Sequence, residues 1–298
     1  MSRQELTESA AKKNIVITGA NSGIGLEAAR GLFGDGHHIF FGSRNEKRNA
    51  EAVAEIKASF PKSTGSIDCF PLDLSQRASV DKFATAVKDR FKSIDILLNN
   101  SGFMANERKL NEDNIEMTMA VNHYGHFYLT YLLFPLLKDT KEGRIVNTSS
   151  FKHLDASEHP MKDPACEEDF GGWAQYNKSK LANTMFSVGL SERFKKSGLN
   201  LKAVSLNPGI VQTGFQQASG MCLLKWLECC CCCIMKSQES GAASTLHVCR
   251  CCYEHLQNGE YYDSDSAVVR KHEMAEDQAQ VDRLWTTSEK VYNIEFKI

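Results

Sequence analysis

An α/β fold, a doubly wound parallel sheet of about seven strands flanked by helices, is the architecture this sequence predicts. Two observations carry it. Short apolar runs alternate with longer segments of helical period along most of the chain, the βαβα rhythm of a parallel sheet. A turn with glycines at 19, 23 and 25 joins the first apolar run to the first helical segment, and glycine permits so tight a passage from strand to helix. At 298 residues the chain fits one domain, residues 1–298, because sheets of this kind often exceed the usual domain length.

The first strand is expected over Ile15–Thr18, within Asn14-Ile15-Val16-Ile17-Thr18-Gly19-Ala20-Asn21-Ser22-Gly23-Ile24-Gly25-Leu26, and the helix-prone Leu26-Glu27-Ala28-Ala29-Arg30 follows. Further strands are expected over His38–Gly42, Ile67–Leu72, Ile94–Asn99, Gly143–Thr148, Leu201–Leu206 and Gly259–Tyr262, with helices between most of them. Ligands of such sheets sit at the carboxyl ends of the strands, and Gly19, Asn99, Ser150 and Pro208 all fall there. Two stretches break the rhythm. Phe151–Gly172 holds His153, His159, Pro160, Pro164 and several acids; a connection of that length is either a functional lid or a solvated surface excursion. The second is Phe215–Lys236.

A charge of −2 with 24% charged residues lacks the basic excess of a nucleic-acid binder. No uninterrupted apolar run reaches the ~18 residues of a membrane span, and Met1-Ser2-Arg3-Gln4-Glu5-Leu6 has no apolar leader core. A soluble cytoplasmic protein is expected. The eleven cysteines are odd in number and five of them, Cys229 to Cys233, are consecutive, which is not a spaced disulfide framework and fits a reducing compartment.

Tyr176 and Lys180 stand four residues apart in Ala174-Gln175-Tyr176-Asn177-Lys178-Ser179-Lys180, so on a helix they share a face. A phenol of pKa about 10 exchanges protons poorly at neutral pH, and a fixed cation beside it favours the phenolate. Such a tyrosine can pass a proton to or from a carbonyl oxygen. Chance also produces Tyr-x-x-x-Lys. The Thr-Gly-x-x-x-Gly-x-Gly turn lets backbone N–H groups approach a pyrophosphate at a helix N-terminus, or is merely a strand-to-helix turn.

Taken in chain order, the Gly-rich turn, Asp73 in Leu72-Asp73-Leu74-Ser75, Asn99-Asn100-Ser101-Gly102, Asn122, Ser149-Ser150, Tyr176 with Lys180, and Pro208-Gly209 with Thr213 resemble the short-chain dehydrogenase/reductase family. The resemblance runs from about residue 13 to the C-terminus. Asn122-His123-Tyr124-Gly125-His126-Phe127, Ser179-Lys180-Leu181-Ala182-Asn183 and Leu284-Trp285-Thr286-Thr287-Ser288-Glu289-Lys290 look most like its retinol-dehydrogenase-like branch. Members commonly read Asn-Asn-Ala-Gly where this chain has Ser101, which adds one hydroxyl. The resemblance implies a Rossmann-like fold and a nicotinamide cofactor held by Thr18, Gly19, Asn21, Ser22, Gly23, Ile24, Gly25, Asn100, Tyr176, Lys180, Pro208 and Gly209. Asp73 and Leu74 would lie beside the adenine, although Asp73 also suits a helix start, and Thr213 would meet the nicotinamide carboxamide.

It further implies catalytic roles. Ser150 would hydrogen-bond the substrate carbonyl, and Tyr176 would exchange its proton. Lys180 would lower the tyrosine pKa and bind the nicotinamide ribose, and Asn122 would hold a water between Lys180 and solvent. Alone, the serines read as strand-end polar groups and Asn122 as a buried amide. His123 and His126 are assigned packing roles, because nothing pairs them with a nucleophile or a second ligand set.

The second strand ends Phe41-Gly42-Ser43-Arg44-Asn45, with Lys47 and Arg48 following and no acid until Glu46. An acid there would take a ribose 2′-hydroxyl, whereas Arg pairs with a 2′-phosphate, so NADP(H) is favoured over NAD(H); alternatively Arg44 and Lys47 only open a solvated helix face. The expected activity is that of a carbonyl reductase or alcohol dehydrogenase for a hydrophobic aldehyde, ketone or alcohol, retinoids included. Substrate polarity is read from Phe103, Met104 and Phe151, which serve equally as packing residues. The alternative is a non-catalytic NADP(H)-binding sensor or scaffold, against which the intact Asn122, Ser150, Tyr176 and Lys180 set argues.

Leu223, Leu227, Cys230, Cys231 and Ile234 form a helical stripe in the region after Thr213, where the family places a variable substrate lid. Lids are thus expected at about 151–172 and 215–236. The cysteines are small buried hydrophobes, or they are S-acylated beside Leu223, Leu224 and Trp226, giving peripheral contact with an intracellular membrane. Cys229-x-x-Cys232 and Cys249-x-x-Cys252 match a zinc spacing, but five adjacent cysteines satisfy many spacings by accident, and no metal is expected.

Overall fold

The computed structural model describes residues 11–211 and 237–298. The first half runs β1 (Asn14–Thr18), α1 (Gly23–Gly34), β2 (His38–Ser43), α2 (Glu46–Ser59), β3 (Ser66–Pro71), α3 (Arg77–Arg90) and β4 (Ile96–Asn99). A short α4 (Met117–Met119) passes through a π-helical turn at Ala120–Tyr124 into α5 (Gly125–Leu137), followed by β5 (Gly143–Thr148) and a 3-10 turn at Phe151–Asp155. Then come α6 (Gly172–Lys196), β6 (Leu201–Leu206), α7 (Gln238–Arg250), β7 (Tyr261–Tyr262), β8 (Val268–Val269), α8 (Glu273–Glu276) and α9 (Gln278–Tyr292).

The strands form one sheet in the order β3-β2-β1-β4-β5-β6-β7-β8. Every neighbouring pair is parallel except β7 with β8. Strand order reverses between β1 and β4, so the connections leaving these two strands diverge and leave a crevice at their carboxyl ends.

The expected count of about seven strands becomes eight. β8 is a two-residue antiparallel edge closed by a tight turn, with Asp263 N donating to Ala267 O at 2.8 Å. Too short to show a period, it leaves no pattern in the sequence. β7 starts two residues later than expected, because Gly259 sits at φ +79, outside strand geometry.

Strand periodicity divides the core. Val16, Leu97, Ile145 and Ala203 face one apolar cluster with Phe127, Phe186 and Trp285. Their neighbours Ile15, Ile17, Ile96, Leu98, Val146 and Val204 face the other, against Ala28, Leu32 and Val248 of α1 and α7. Strands buried on both faces must be apolar at every position, which is why they read as unbroken runs.

The connection 151–172 is not a solvated excursion. His153, Ala156, His159, Pro160, Met161 and Cys166 are buried. His159 Nε2 donates to Gln280 O at 3.0 Å, and Tyr124 Oη donates to Met161 Sδ at 2.9 Å, so the segment is tied to both α9 and the π-helical turn.

Candidate active site

The carboxyl ends of β1, β4, β5 and β6 open into a cleft of about 1420 Å³. On one side stands the Gly-rich turn. Gly19 and Gly23 adopt φ of +73 and +59, a region that favours glycine. Gly25 is needed for close approach instead: a Cβ there would lie 2.4 Å from Gly19 O and 2.5 Å from Asn100 Nδ2. α1 starts within this turn, at Gly23, capped by no side chain at Ser22 and carrying no acid in its first turn. Its first N–H groups and positive dipole end are therefore uncommitted, as an anionic pyrophosphate requires, and Asn21, Ser22, Gly23, Ile24 and Gly25 line the cleft.

Thr18 ties this turn to the rest of the site. Its Oγ1 accepts from the backbone N–H of both Asn100 and Ser101 at 2.9 Å, while Asn100 Nδ2 donates to Thr18 O at 2.9 Å. The Thr18 hydroxyl lies 2.8 Å from His126 Nε2. His126 Nδ1 is 2.9 Å from Asn122 O, and a carbonyl only accepts, so Nδ1 carries the proton and Nε2 accepts from Thr18. Burial pulls His126 down to about 4, consistent with a neutral ring. His126 is thus a link between β1 and the Asn122 turn, beyond the packing role expected of it. His123 packs as expected, its Nε2 donating to Ser288 Oγ at 2.9 Å.

At the end of the cleft beside β2, exposed Arg44 and Arg48 line it with Glu46, Asp73 and Leu74. Lys47 instead points along α2 to Glu51, 4.0 Å away. Asn45 caps α2 by accepting from Arg48 N at 2.9 Å. Asp73 lines the cleft, and its Oδ1 accepts from Ser75 N at 3.0 Å and Ser75 Oγ at 2.6 Å; it turns the loop but does not cap a helix, since the N-cap of α3 is Gln76.

β5 delivers the serines and α6 the Tyr/Lys pair. Ser149 Oγ donates to Lys180 O at 2.8 Å and so belongs to the packing of α6 on β5. Ser150, lining the cleft, hydrogen-bonds Tyr176. Lys180 Nζ donates to Thr148 O at 3.0 Å and lies 5.5 Å from the centre of the Tyr176 ring. Burial pulls Lys180 down to about 8. Burial pushes Tyr176 up to about 12, against the opposing effect of the Ser150 hydrogen bond, the opposite direction to the acidification expected from the Lys180 spacing. The reason is that desolvation of the phenolate outweighs the hydrogen bond from Ser150.

Asn122 lies behind the cleft wall. Its Oδ1 accepts from Phe103 N at 2.8 Å, and its Nδ2 donates to Phe103 O at 2.8 Å and Ser179 Oγ at 2.9 Å, clamping the loop after β4 to α6. Pro208 and Gly209 line the cleft. Thr213 and Cys229–Cys233 lie outside the described residues. Among the described residues no cluster of three or more His, Cys, Asp or Glu is placed to hold a metal, and no helix is long and apolar enough to cross a membrane.

Phe103, Met104 and Phe151 line the cleft, and so do Lys152, Trp173 and Ile210, for which the sequence carried no assigned role. Two of these had a signal: Trp173 stands one helical turn before Tyr176, and Lys152 two residues after Ser150.

A doubly wound sheet with an uncapped helix N-terminus and a Ser/Tyr/Lys set in one cleft defines a dinucleotide-dependent oxidoreductase. The short chain dehydrogenase family model matches residues 13–221. Short-chain dehydrogenase TIC 32 A, chloroplastic, of Brassica napus is 35% identical, over 97% of this chain and 92% of that protein. Retinol dehydrogenase 12 of Homo sapiens is 33% identical, over 93% of this chain and 85% of that protein. Among solved structures, an uncharacterized protein from Mycobacterium Paratuberculosis superposes with a TM-score of 0.76 at 28% identity, covering 97% of this chain and 96% of that one. The chain belongs to the short-chain dehydrogenase/reductase family, in its retinol-dehydrogenase-like branch. It is an oxidoreductase of CH–OH and C=O groups that uses a nicotinamide cofactor.

Proposed function

We propose that the protein is an NADP(H)-dependent oxidoreductase interconverting a hydrophobic aldehyde or ketone, retinoids included, with its alcohol. The observation that carries this reading is the convergence of Ser150, Tyr176 and Lys180 on the cleft that also holds the Gly-rich turn. A bound nicotinamide dinucleotide supplies or accepts the hydride. The turn Thr18–Gly25 and the start of α1 would hold its pyrophosphate, Asn100, Lys180, Pro208 and Gly209 its nicotinamide half, and Asp73 with Leu74 its adenine. Thr213, outside the described residues, is assigned to the carboxamide. Arg44, at the end of β2 with no acid before Glu46, supports recognition of a 2′-phosphate.

Ser150 holds the substrate oxygen beside the Tyr176 hydroxyl. A phenol kept at about 12 is fully protonated at neutral pH, so Tyr176 stands ready to donate as the carbonyl oxygen gains charge. Lys180, still largely an ammonium below about pH 8, stabilises the phenolate left behind. Asn122 keeps the loop carrying Phe103 in register with α6. The connection at 151–172 acts in this reading as a cover for the substrate; the second expected lid, 215–236, lies outside the described residues.

The test follows reduced-nicotinamide absorbance with purified protein, NADPH or NADH, and a panel of hydrophobic aldehydes and ketones. Turnover with NADPH preference is expected, and Arg44→Ala should lower kcat/KM for NADPH about tenfold while sparing NADH. Preference for NADH would remove the Arg44 assignment. Cofactor binding without turnover across the panel would remove the enzyme reading.

A further inference from the structure

We propose that Lys152 forms an anion-binding subsite at the substrate end of the cleft, so that the preferred carbonyl substrate has an apolar body ending in a carboxylate. This rests on the reductase reading above. Lys152 follows Ser150 by two residues, and its backbone N–H donates to Ser150 Oγ at 3.3 Å, so the residue is fixed by the hydroxyl assigned to the substrate carbonyl. Its ammonium lies 5.2 Å from the centre of the Phe151 ring and 5.8 Å from that of Trp173. Both rings line the cleft and are more than one-third exposed, at 38% and 45%. Two aromatic faces restrict a long flexible side chain and present its charge at one place. Trp173 in turn meets Tyr176 edge-on, with ring centres 5.9 Å apart, so the aromatic wall is continuous from the proton donor to the cation.

The distribution of charge points the same way. Among the described lining residues, the carboxylates are Glu46 and Asp73, both at the adenosine end. The charged groups beside Ser150 and Tyr176 are Lys152 and Lys180, both cations. A neutral apolar substrate would leave the outer cation without a purpose in recognition, whereas an anionic end group complements it. Asp155 already pairs with Lys152 at 2.7 Å, but both side chains are substantially exposed, at 51% and 32%. Exposed pairs of this kind are weak. An ammonium has three donors, and Asp155 does not line the cleft, so Lys152 can keep Asp155 on its outer side and take a second acceptor on its inner side.

The experiment compares nonanal with azelaic semialdehyde, which share an aldehyde on a flexible nine-carbon body and differ in the terminal carboxylate, in wild type, Lys152→Met and Lys152→Arg. The ratio of kcat/KM for the acid over the neutral aldehyde should fall about tenfold in Lys152→Met, through KM, and return in Lys152→Arg. A ratio unchanged by Lys152→Met overturns the proposal, whatever happens to the separate rates. Binding of nonanoate, read by quenching of tryptophan fluorescence against a Trp173→Phe control, tests the subsite without turnover. It should weaken about tenfold in Lys152→Met, and affinity independent of residue 152 overturns the proposal. If wild type reduces neither aldehyde, the reductase reading falls on its own, and the nonanoate measurement alone decides the subsite.

Discussion

Tyr176 sits where two opposing effects meet. Its pairing with Lys180 was legible in the sequence, because i and i+4 residues must share a helix face. The balance was not legible, because it depends on burial and on the Ser150 hydroxyl, contributed by another element. The same limit hid His126, whose bond to Thr18 spans 108 residues, a separation that leaves no local pattern. Replacing Tyr176 with Phe deletes one hydroxyl and little volume. Turnover should therefore fall about 10²–10⁴-fold, the usual contribution of a positioned proton donor, while NADPH affinity measured by fluorescence titration stays within a few-fold of wild type. Activity retained in Tyr176→Phe would assign the proton to another group, Ser150 being the nearest hydroxyl.

Strands were largely legible, since a segment buried on both faces must be apolar throughout and Gly19 marks where the first one stops. β8 was the exception, held by two residues of pairing, and β7, read from the sequence as Gly259–Tyr262, is cut to two residues as well. Polar residues ending these apolar runs serve the elements as well as the cleft. Asn99 Nδ2 on β4 donates to Asn147 Oδ1 on β5 at 2.8 Å and to Thr130 Oγ1 on α5 at 3.2 Å, and Asn147 Nδ2 donates to Ser187 Oγ on α6 at 2.9 Å. All four are buried, so this network fixes both catalytic-side helices to the strand ends. Asn147→Ala leaves a donor of Asn99 short of a buried partner and opens a small cavity, together costing about 2–4 kcal/mol. Urea denaturation should show the midpoint falling with the slope unchanged; an unaltered midpoint would mean that water replaces the amide at no cost.

Across the whole molecule, the buried imidazoles make stability depend on pH. His123, His126 and His153 are buried, and burial pulls them down to about 3, 4 and 4. An unfolded histidine titrates near 6.5, so between about pH 6.5 and 4 the unfolded chain binds protons that the folded one refuses. Stability is then fully present above about pH 6.5 and is lost as the pH falls. At pH 5 each of the three costs about 2 kcal/mol. Glu116 and Asp113 act in the opposite sense, because burial pushes their carboxyls up and the folded state takes their protons first, but they are two groups against three. His37 and His159, also pulled down by burial, add to the larger side. Scanning calorimetry should therefore show the unfolding temperature dropping steadily from pH 7.5 to 5, with unfolding at pH 5.5 taking up about two or more protons, as read from buffers of different ionisation heat. A flat profile, or uptake below one proton, would mean that these rings reach water in the folded protein. That outcome would also break the Thr18–His126 link, because an imidazolium has no lone pair to accept the threonine hydroxyl, and the cofactor turn would then be held by the Asn100 and Ser101 amides alone.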